Sequence, residues 1–290
     1  MTPLENGIPL GALGLVLFAA VLHASWNALV KAGNDRLAMM VMVQGVGGLV
    51  AAVGLMFIPI ARVEAWPYVL GSVLVHTFYY VFLIRAYQQG DLSQVYPIAR
   101  GSSPLMVAVV SALVVGETLG PIGTVAVVVI CLAIFSLAFG RGANPIGQRR
   151  SVAYAFGTGI TIAIYTVIDG LGARAAGDAL SYVATLGLCE AIPIFAIALW
   201  RRGPALFPAL RASLKTGIPG GVIAWLGYGM VIWAMTVAPM TYVSALRETS
   251  VIIAAWMGSR LLGEPFGSRR ILASAIVVLG VVVLHSVGKA

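Results

Sequence analysis

The sequence predicts an all-α membrane protein of ten transmembrane helices, arranged as two inverted five-helix repeats. Composition is the first reason. Sixty percent of the 290 residues are hydrophobic and 10% are charged, with a mean hydropathy of +0.98, whereas soluble domains carry about 25% charged residues. Segmentation is the second. Ten apolar stretches lie near 10–30, 37–60, 67–87, 93–116, 120–140, 152–173, 180–200, 217–237, 241–262 and 269–287, each close to the ~20 residues that an α-helix needs to cross a hydrocarbon core about 30 Å thick. Repetition is the third. The run from Ser93 to Glu117, SQVYPIARGSSPLMVAVVSALVVGE, returns from Met240 to Glu264 as MTYVSALRETSVIIAAWMGSRLLGE. Arg100 then stands opposite Arg247, Ser103 opposite Ser250 and Glu117 opposite Glu264 at one offset (247 − 100 = 147). Five helices per copy is an odd number, so the second copy enters the bilayer upside down and a two-fold axis in the membrane plane relates the copies. The units are 1–140 and 151–290, joined by a basic linker at 141–150 within GRGANPIGQRRS.

Composition also excludes. Thirty-four glycines and 14 prolines suit membrane helices, which use small residues for close approach and tolerate proline where neighbours satisfy freed carbonyls. The first apolar stretch has no basic leader and outruns a signal core, so it reads as a helix that is kept. Cys131 and Cys189 fall inside apolar spans and read as packing residues rather than a disulfide or metal pair. The net charge of +8 does not point to nucleic acid, because of where it sits. Lys31, Arg36, Arg85, Arg141, Arg149, Arg150, Arg201, Arg202, Arg211, Lys215, Arg260, Arg269 and Arg270 follow odd-numbered helices, while Arg62, Arg174 and Lys289 fall on the other side. Lysine and arginine in short loops mark the cytoplasmic face of an inner membrane, so both termini are expected outside, with the basic side against lipid headgroups.

Along the chain, helix 1 places His23, Trp26 and Asn27 on one face at spacings of three and four, a polar wall or an interhelical contact. Helix 2 offers Gln44 in the small-residue run GVGGLVAAVG, which reads as close packing. Helix 3 carries His76, Tyr79 and Tyr80, whose aromatic faces suit an organic solute or a cation and whose polar tips need partners. No second histidine or acid stands at metal-ligand spacing from His23 or His76, so no metal site is expected. In helix 4, Tyr96, Arg100 and Ser103 share a face, and Pro104 withholds the amide that the Arg100 carbonyl would accept. Helices 4 and 9 end in Gly116-Glu117 and Gly263-Glu264, each followed by a proline, as turns in which the glutamate favours the dipole of the next helix. Helix 6 spaces Thr161, Tyr165 and Asp169 by four, with Asp169 near the far interface. Glu190 lies mid-span in helix 7, where a carboxylate must be protonated, paired with Arg100 or Arg247, or open to water. Helix 8 adds Trp225 and Tyr228. In helix 9, Arg247 and Glu248 are adjacent and diverge by about 100°, so Glu248 reaches another helix or water. Helix 10 is small and aliphatic.

A charge inside a span costs several kcal/mol and is kept facing a bundle interior or a water-filled cavity. Arg100 and Arg247 would meet near the midplane from opposite repeats, where inverted repeats bind their solute. Two guanidiniums there repel unless an anion bridges them, and their planar forks suit a carboxylate, phosphate or phosphonate. Glu190, Glu248 and Asp169, with His23 and His76, are the candidates for charge pairing or for carrying a coupling proton, and Tyr79, Tyr80, Trp26, Asn27, Trp225 and Tyr228 for the cavity wall.

On its two five-helix repeats, the glycine-glutamate-proline ends at Glu117 and Glu264 and the paired fourth and ninth helices, the chain resembles the drug/metabolite transporter superfamily, EamA type. The resemblance spans the whole length and implies a carrier of amino acids or other small metabolites, without a cofactor. In the related sugar-phosphate translocators basic residues on the fourth and ninth helices bind phosphate, which is similar to the placement of Arg100 and Arg247. Small multidrug exporters of the superfamily use a glutamate in helix 1, and helix 1 here has no acid. Many relatives resemble one another in keeping both termini in the cytoplasm, and the charge bias here argues the reverse. The leading expectation is thus an alternating-access carrier of a small anionic or zwitterionic metabolite, acting as a monomer or homodimer, with protons as a candidate coupling ion. An exporter of cationic, amphipathic or lipid-linked compounds is the alternative. An enzyme is not expected, since no Ser-His-Asp set, metal cluster or nucleotide loop is present. A structural partner without transport would tolerate apolar replacements of its buried charges.

Overall fold

The computed structural model describes residues 8–90, 92–117, 119–137, 149–262 and 268–287. The linker at 138–148 and the second glycine-glutamate-proline turn, with Glu264, lie outside the described residues. Eleven α-helical segments and two 3-10 turns make up the described fold: α1 (Leu10–Ala32), α2 (Arg36–Gly54), α3 (Trp66–Gln89), α4 (Leu92–Val114), α5 (Pro121–Leu137), α6 (Arg149–Ala176), α7 (Ala179–Arg202), α8 (Leu206–Val237), α9 (Met240–Arg247), α10 (Ser250–Leu262) and α11 (Ser268–Val287).

Local chemistry sets the ends. Asp35 and Asp178 cap α2 and α7, their carboxylates accepting the Ala38 amide and the Leu180 and Ser181 amides, respectively. Proline opens α5 and immediately precedes α1 and α9, where a missing amide hydrogen costs nothing. Gly116 and Gly177 carry φ of 75° and 73° beyond α4 and α6, in the left-handed region open to glycine.

Several boundaries depart from those expected. The second helix stops at Gly54, six residues short of the apolar run's end near 60, because Pro59 cannot donate and pushes Ile58 out of helical geometry. The eighth starts at Leu206, well before 217. Its added turns keep Leu206 and Ser213 buried while Arg211 and Lys215 face outward, so an amphipathic extension projects from the basic end. The largest departure concerns the ninth. The expected continuous helix at 241–262 is interrupted at Glu248-Thr249, where the amides of Glu248, Thr249 and Val251 bond three residues back instead of four. Arg247 ends one half and Glu248 precedes the other, so each charge sits at the helix terminus whose dipole favours it.

Among the described residues, six helical stretches are long and apolar enough to cross a membrane, and α5 and α11 supply shorter apolar helices. Large apolar side chains such as Leu74, Leu113, Leu132, Ile192 and Leu279 lie on the outer surface, as expected of a lipid-facing bundle. Inside, α3 packs on α6, α1 on α8, α2 on α7 and α8, α4 on α6 and α9, and α5 on α11. The α4–α6 crossing is close enough that a Cβ on Gly159 would lie 2.0 Å from Ser102 Oγ and 2.8 Å from the Ala99 carbonyl oxygen, the small-residue contact by which helices approach in lipid.

Polar ties hold the two ends of the bundle. At one end Arg202 pairs with Asp35, and Lys31 donates to the Tyr87 and Gly90 carbonyls. At the other, Glu117 pairs with Arg174 at 2.7 Å and accepts the Met240 amide at 2.9 Å, while Arg174 donates to the Met235 carbonyl.

Candidate functional site

Two layers of buried polar side chains meet between the halves of the bundle. The first is built by α4 and the interrupted α9–α10 helix. Arg100 is 2% exposed and grips Glu248 through both fork arms, Nη2 to Oε1 at 2.7 Å and Nε to Oε2 at 3.1 Å. One turn earlier, Tyr96 shares a 3.1 Å hydrogen bond with the Ser250 hydroxyl. The Arg100 carbonyl, deprived of an amide by Pro104, accepts the Ser103 hydroxyl at 3.3 Å. Tyr96 and Arg100 thus find their partners in the segment that repeats them, while Ser103 turns back to a carbonyl of its own helix.

Arg247 is placed differently. It is equally buried, at 2% exposure, yet the described residues give it no carboxylate. Its Nη2 donates to the Tyr165 hydroxyl at 3.4 Å, and its Nε and Nη1 have no partner. A buried guanidinium with two donor nitrogens unmatched is costly in the absence of an anion.

The second layer joins α3, α6, α7 and α8. His76 Nδ1 lies 2.9 Å from Glu190 Oε1, and the Tyr80 hydroxyl donates to Glu190 Oε2 at 3.0 Å. Asp169 accepts the Tyr182 hydroxyl at 2.8 Å on one oxygen and the Tyr228 hydroxyl on the other. Tyr228 in turn lies 3.4 Å from His76 Nε2. Tyr165 links the layers, its ring stacked on His76 at 3.9 Å between centroids and its hydroxyl on Arg247.

Beside this second layer opens a cavity of about 460 Å³ of empty space, counting the part open to the outside. Trp26, Tyr79, Tyr80, Trp225 and Tyr228 line it, together with His23, His76, Glu190, Gln44 and Tyr165. Arg100, Arg247, Tyr96, Ser103, Asn27, Asp169 and Glu248 stand behind the wall. The Asn27 amide is turned to the His23 carbonyl and its oxygen to Tyr87, so it braces α1 against α3, the interhelical contact among the two alternatives for this face. Trp26 donates its indole N–H to His23 Nδ1 at 3.2 Å.

These contacts place the acids. Glu190 lines the cavity and lies against His76 and Tyr80, not against an arginine, because α7 packs on α3. Asp169, near the end of α6, is fully buried and accepts from two tyrosines. Glu248 reaches another helix, where its partner is Arg100. Tyr165 was visible only as the residue one turn before Asp169, and Ser72 and Tyr182 carried no signal beyond being polar in an apolar run. The described cysteines are free thiols.

A comparison with curated proteins returned no match. Among solved structures, one described as "Crystal structure of protein" has a TM-score of 0.71 and 18% identity over 94% of this chain and 97% of that chain, a likeness of fold. The EamA-like transporter family model matches residues 10–139 and again residues 149–286. With a multi-pass apolar bundle, the polar layers buried between its halves and that match repeated over nearly the whole length, the chain belongs to the EamA-like transporter family.

Proposed function

We propose that this transporter carries a small metabolite with an acidic group, anionic or zwitterionic, across the cytoplasmic membrane by alternating access, with Arg247 as the seat of the acid. The observation that carries this is the buried guanidinium of Arg247 with Nε and Nη1 unmatched. A carboxylate, phosphate or phosphonate oxygen pair fits that fork. Arg100 stands ready as the second cation once Glu248 releases it.

Ten spans result when α9 and α10 are read as one interrupted helix. Inverted repeats are supported by how the halves exchange contacts: α3 meets α6 as α1 meets α8, while α2 meets α7, α4 meets α9 and α5 meets α11. Each such pairing maps onto itself or onto its mate under a two-fold. An interrupted helix with charges at the break is a recurring form of transporter site. The loop charges favour a cytoplasmic face at the Asp35–Arg202 end, with both termini outside, and the carrier works as a monomer or homodimer in contact with lipid.

The aromatic cavity with Glu190 in its wall favours a second reading, an exporter of cationic or amphipathic compounds. Thermal stabilisation of the purified protein separates the two. Amino acids, phosphonates, organic acids and cationic dyes are screened against wild type and Arg247→Ala. Stabilisation by acidic or zwitterionic compounds that vanishes in the variant is the expected result. Stabilisation by cations alone, equal in both proteins, hands the lead to the exporter reading.

A further inference from the structure

Every described group in contact with the His76 ring nitrogens can accept from them. Its Nδ1 faces Glu190 Oε1 at 2.9 Å and the Ser72 carbonyl at 3.1 Å, with the Ser72 hydroxyl at 2.9 Å free to turn its proton away. Its Nε2 faces the Tyr228 hydroxyl, whose proton is already directed to Asp169. Both ring nitrogens can therefore donate at once, as an imidazolium does. Asp169 accepts on both oxygens, from Tyr182 and Tyr228, and Glu190 accepts from Tyr80 on Oε2 while its Oε1, without a hydrogen-bond donor among the described residues, faces the His76 ring at 2.9 Å, the arrangement of two carboxylates about one cation. The cluster carries one positive and two negative charges and is net negative by one.

The arginine layer is its complement. Arg100 and Arg247 against Glu248 leave one positive charge, and the two layers, bridged by Tyr165, sum to zero. Other titratable groups facing the cluster are neutral phenols: Tyr79 and Tyr80 from α3, Tyr165 from α6, Tyr182 from α7 and Tyr228 from α8. His23 from α1 stands across the cavity and accepts the Trp26 indole N–H on Nδ1. Cys189 on α7 is a thiol.

An anion arriving on Arg247 upsets this balance. The core then holds one uncompensated negative charge in a low-dielectric interior, where such charge is costly. We propose that the His76–Glu190–Asp169 cluster is a proton-binding site loaded together with the substrate, so that an acidic group on Arg247 and a proton on Glu190 enter as an electroneutral pair. Glu190 is the acceptor because it alone of the two acids lines the cavity. The proton arrives from bulk solvent as hydronium, whose O–H bond breaks to leave water as an O–H bond forms on a Glu190 oxygen, and His76 Nδ1 keeps the Ser72 carbonyl as its acceptor. No other covalent bond changes. This rests on the reading of Arg247 as the seat of the acid.

The test measures proton uptake and affinity in one preparation. Acetate, lactate and methanesulfonate are titrated into the purified carrier between about pH 7 and pH 9, where all three stay fully ionised. A pH dye in weak buffer reports protons, and calorimetry reports binding. Wild type is expected to take up about one proton per anion bound, with Kd rising toward tenfold per pH unit at the alkaline end. Glu190→Gln and Asp169→Asn each make the empty cluster neutral and so mimic the loaded state. Both are expected to bind the anion with no uptake and no pH dependence, and either suffices should the other fail to fold. Anion binding by wild type without proton uptake, or a pH dependence that survives in both variants, overturns the proton site and leaves the Arg247 reading intact. No binding by any acid, with a correctly folded protein, removes both.

Discussion

Replacing the two buried arginines by methionine should change stability by unequal amounts. Arg100→Met strands Glu248, which is fully buried and otherwise without a partner, and breaking a buried pair from one side costs about 3–5 kcal/mol. Arg247→Met breaks no ion pair, its one hydrogen bond among the described residues being the long one to Tyr165. It removes a desolvated cation and, with it, the charge that balances the His76 cluster, so the two effects oppose and the net change should fall well short of the loss at Arg100. Arg100→Met/Glu248→Met removes both partners and should fall between neutral and a gain of about 1–4 kcal/mol. Unfolding by denaturant in detergent micelles, followed by circular dichroism without ligand, gives the three values. An Arg247→Met protein as unstable as Arg100→Met would falsify the reasoning, since Arg247 would then be satisfied by its surroundings and not waiting for an anion. A single-variant loss at Arg100 that persists undiminished in the double variant would count against the pair itself.

Further outcomes follow from other contacts. Gly159→Val should cost about 1–3 kcal/mol or more by overpacking the α4–α6 crossing, because its Cβ would lie 2.8 Å from backbone at Ala99; the same denaturation assay reads it. The Ser181 hydroxyl, then the Ser181 and Leu180 amides, hold the Asp178 carboxyl below the usual carboxylate range against a counteracting burial. Burial pushes Asp35 up, but the Arg202 hydrogen bond, the Ala38 amide and the Arg202 charge leave it lowered. Both folded values lie below the unfolded ones, so both contributions are fully present above about pH 4 and are lost as pH falls through the depressed folded values. Asp178→Ala should therefore cost about 1 kcal/mol at neutral pH and nothing in strong acid, and Arg202→Ala at most about 1 kcal/mol, shrinking with salt because the pair is part exposed.

Much of the fold was legible in the sequence because a bilayer imposes one period and one length. Apolar runs bounded by proline, glycine and charge locate most helices to within a few residues, and the recurrence of Arg100 and Ser103 as Arg247 and Ser250 reveals the duplication. The failures have physical causes. The break at Glu248-Thr249 is invisible in composition, since both halves of 240–262 are apolar and no glycine or proline marks the interruption; charge at opposed helix ends is the only hint. Partner choice among buried acids was not legible either. Glu190 meets His76 because of which helices neighbour α7, a tertiary fact that spacing along one helix does not contain. Tyr165 was overlooked because its importance lies in standing between two layers, and nothing local distinguishes it from the other tyrosines.

The imbalance at Arg247 originates in the duplication itself. An offset of 147 residues pairs Arg247 with Arg100, and it pairs Glu248 with position 101, which is glycine. A Cβ at Gly101 would lie 3.1 Å from Ile134, 3.2 Å from the Phe135 amide nitrogen and 3.3 Å from the Cys131 carbonyl oxygen. Helix α5 thus occupies the space where a second carboxylate would stand, and no longer side chain fits there without moving backbone. Two copies of one unit bring two arginines to the axis while packing admits a single acid, and Glu248 is taken by Arg100 from the other half. On the reading proposed above, the unmatched guanidinium is what distinguishes an empty site from an occupied one, because a second glutamate at position 101 would neutralise both arginines.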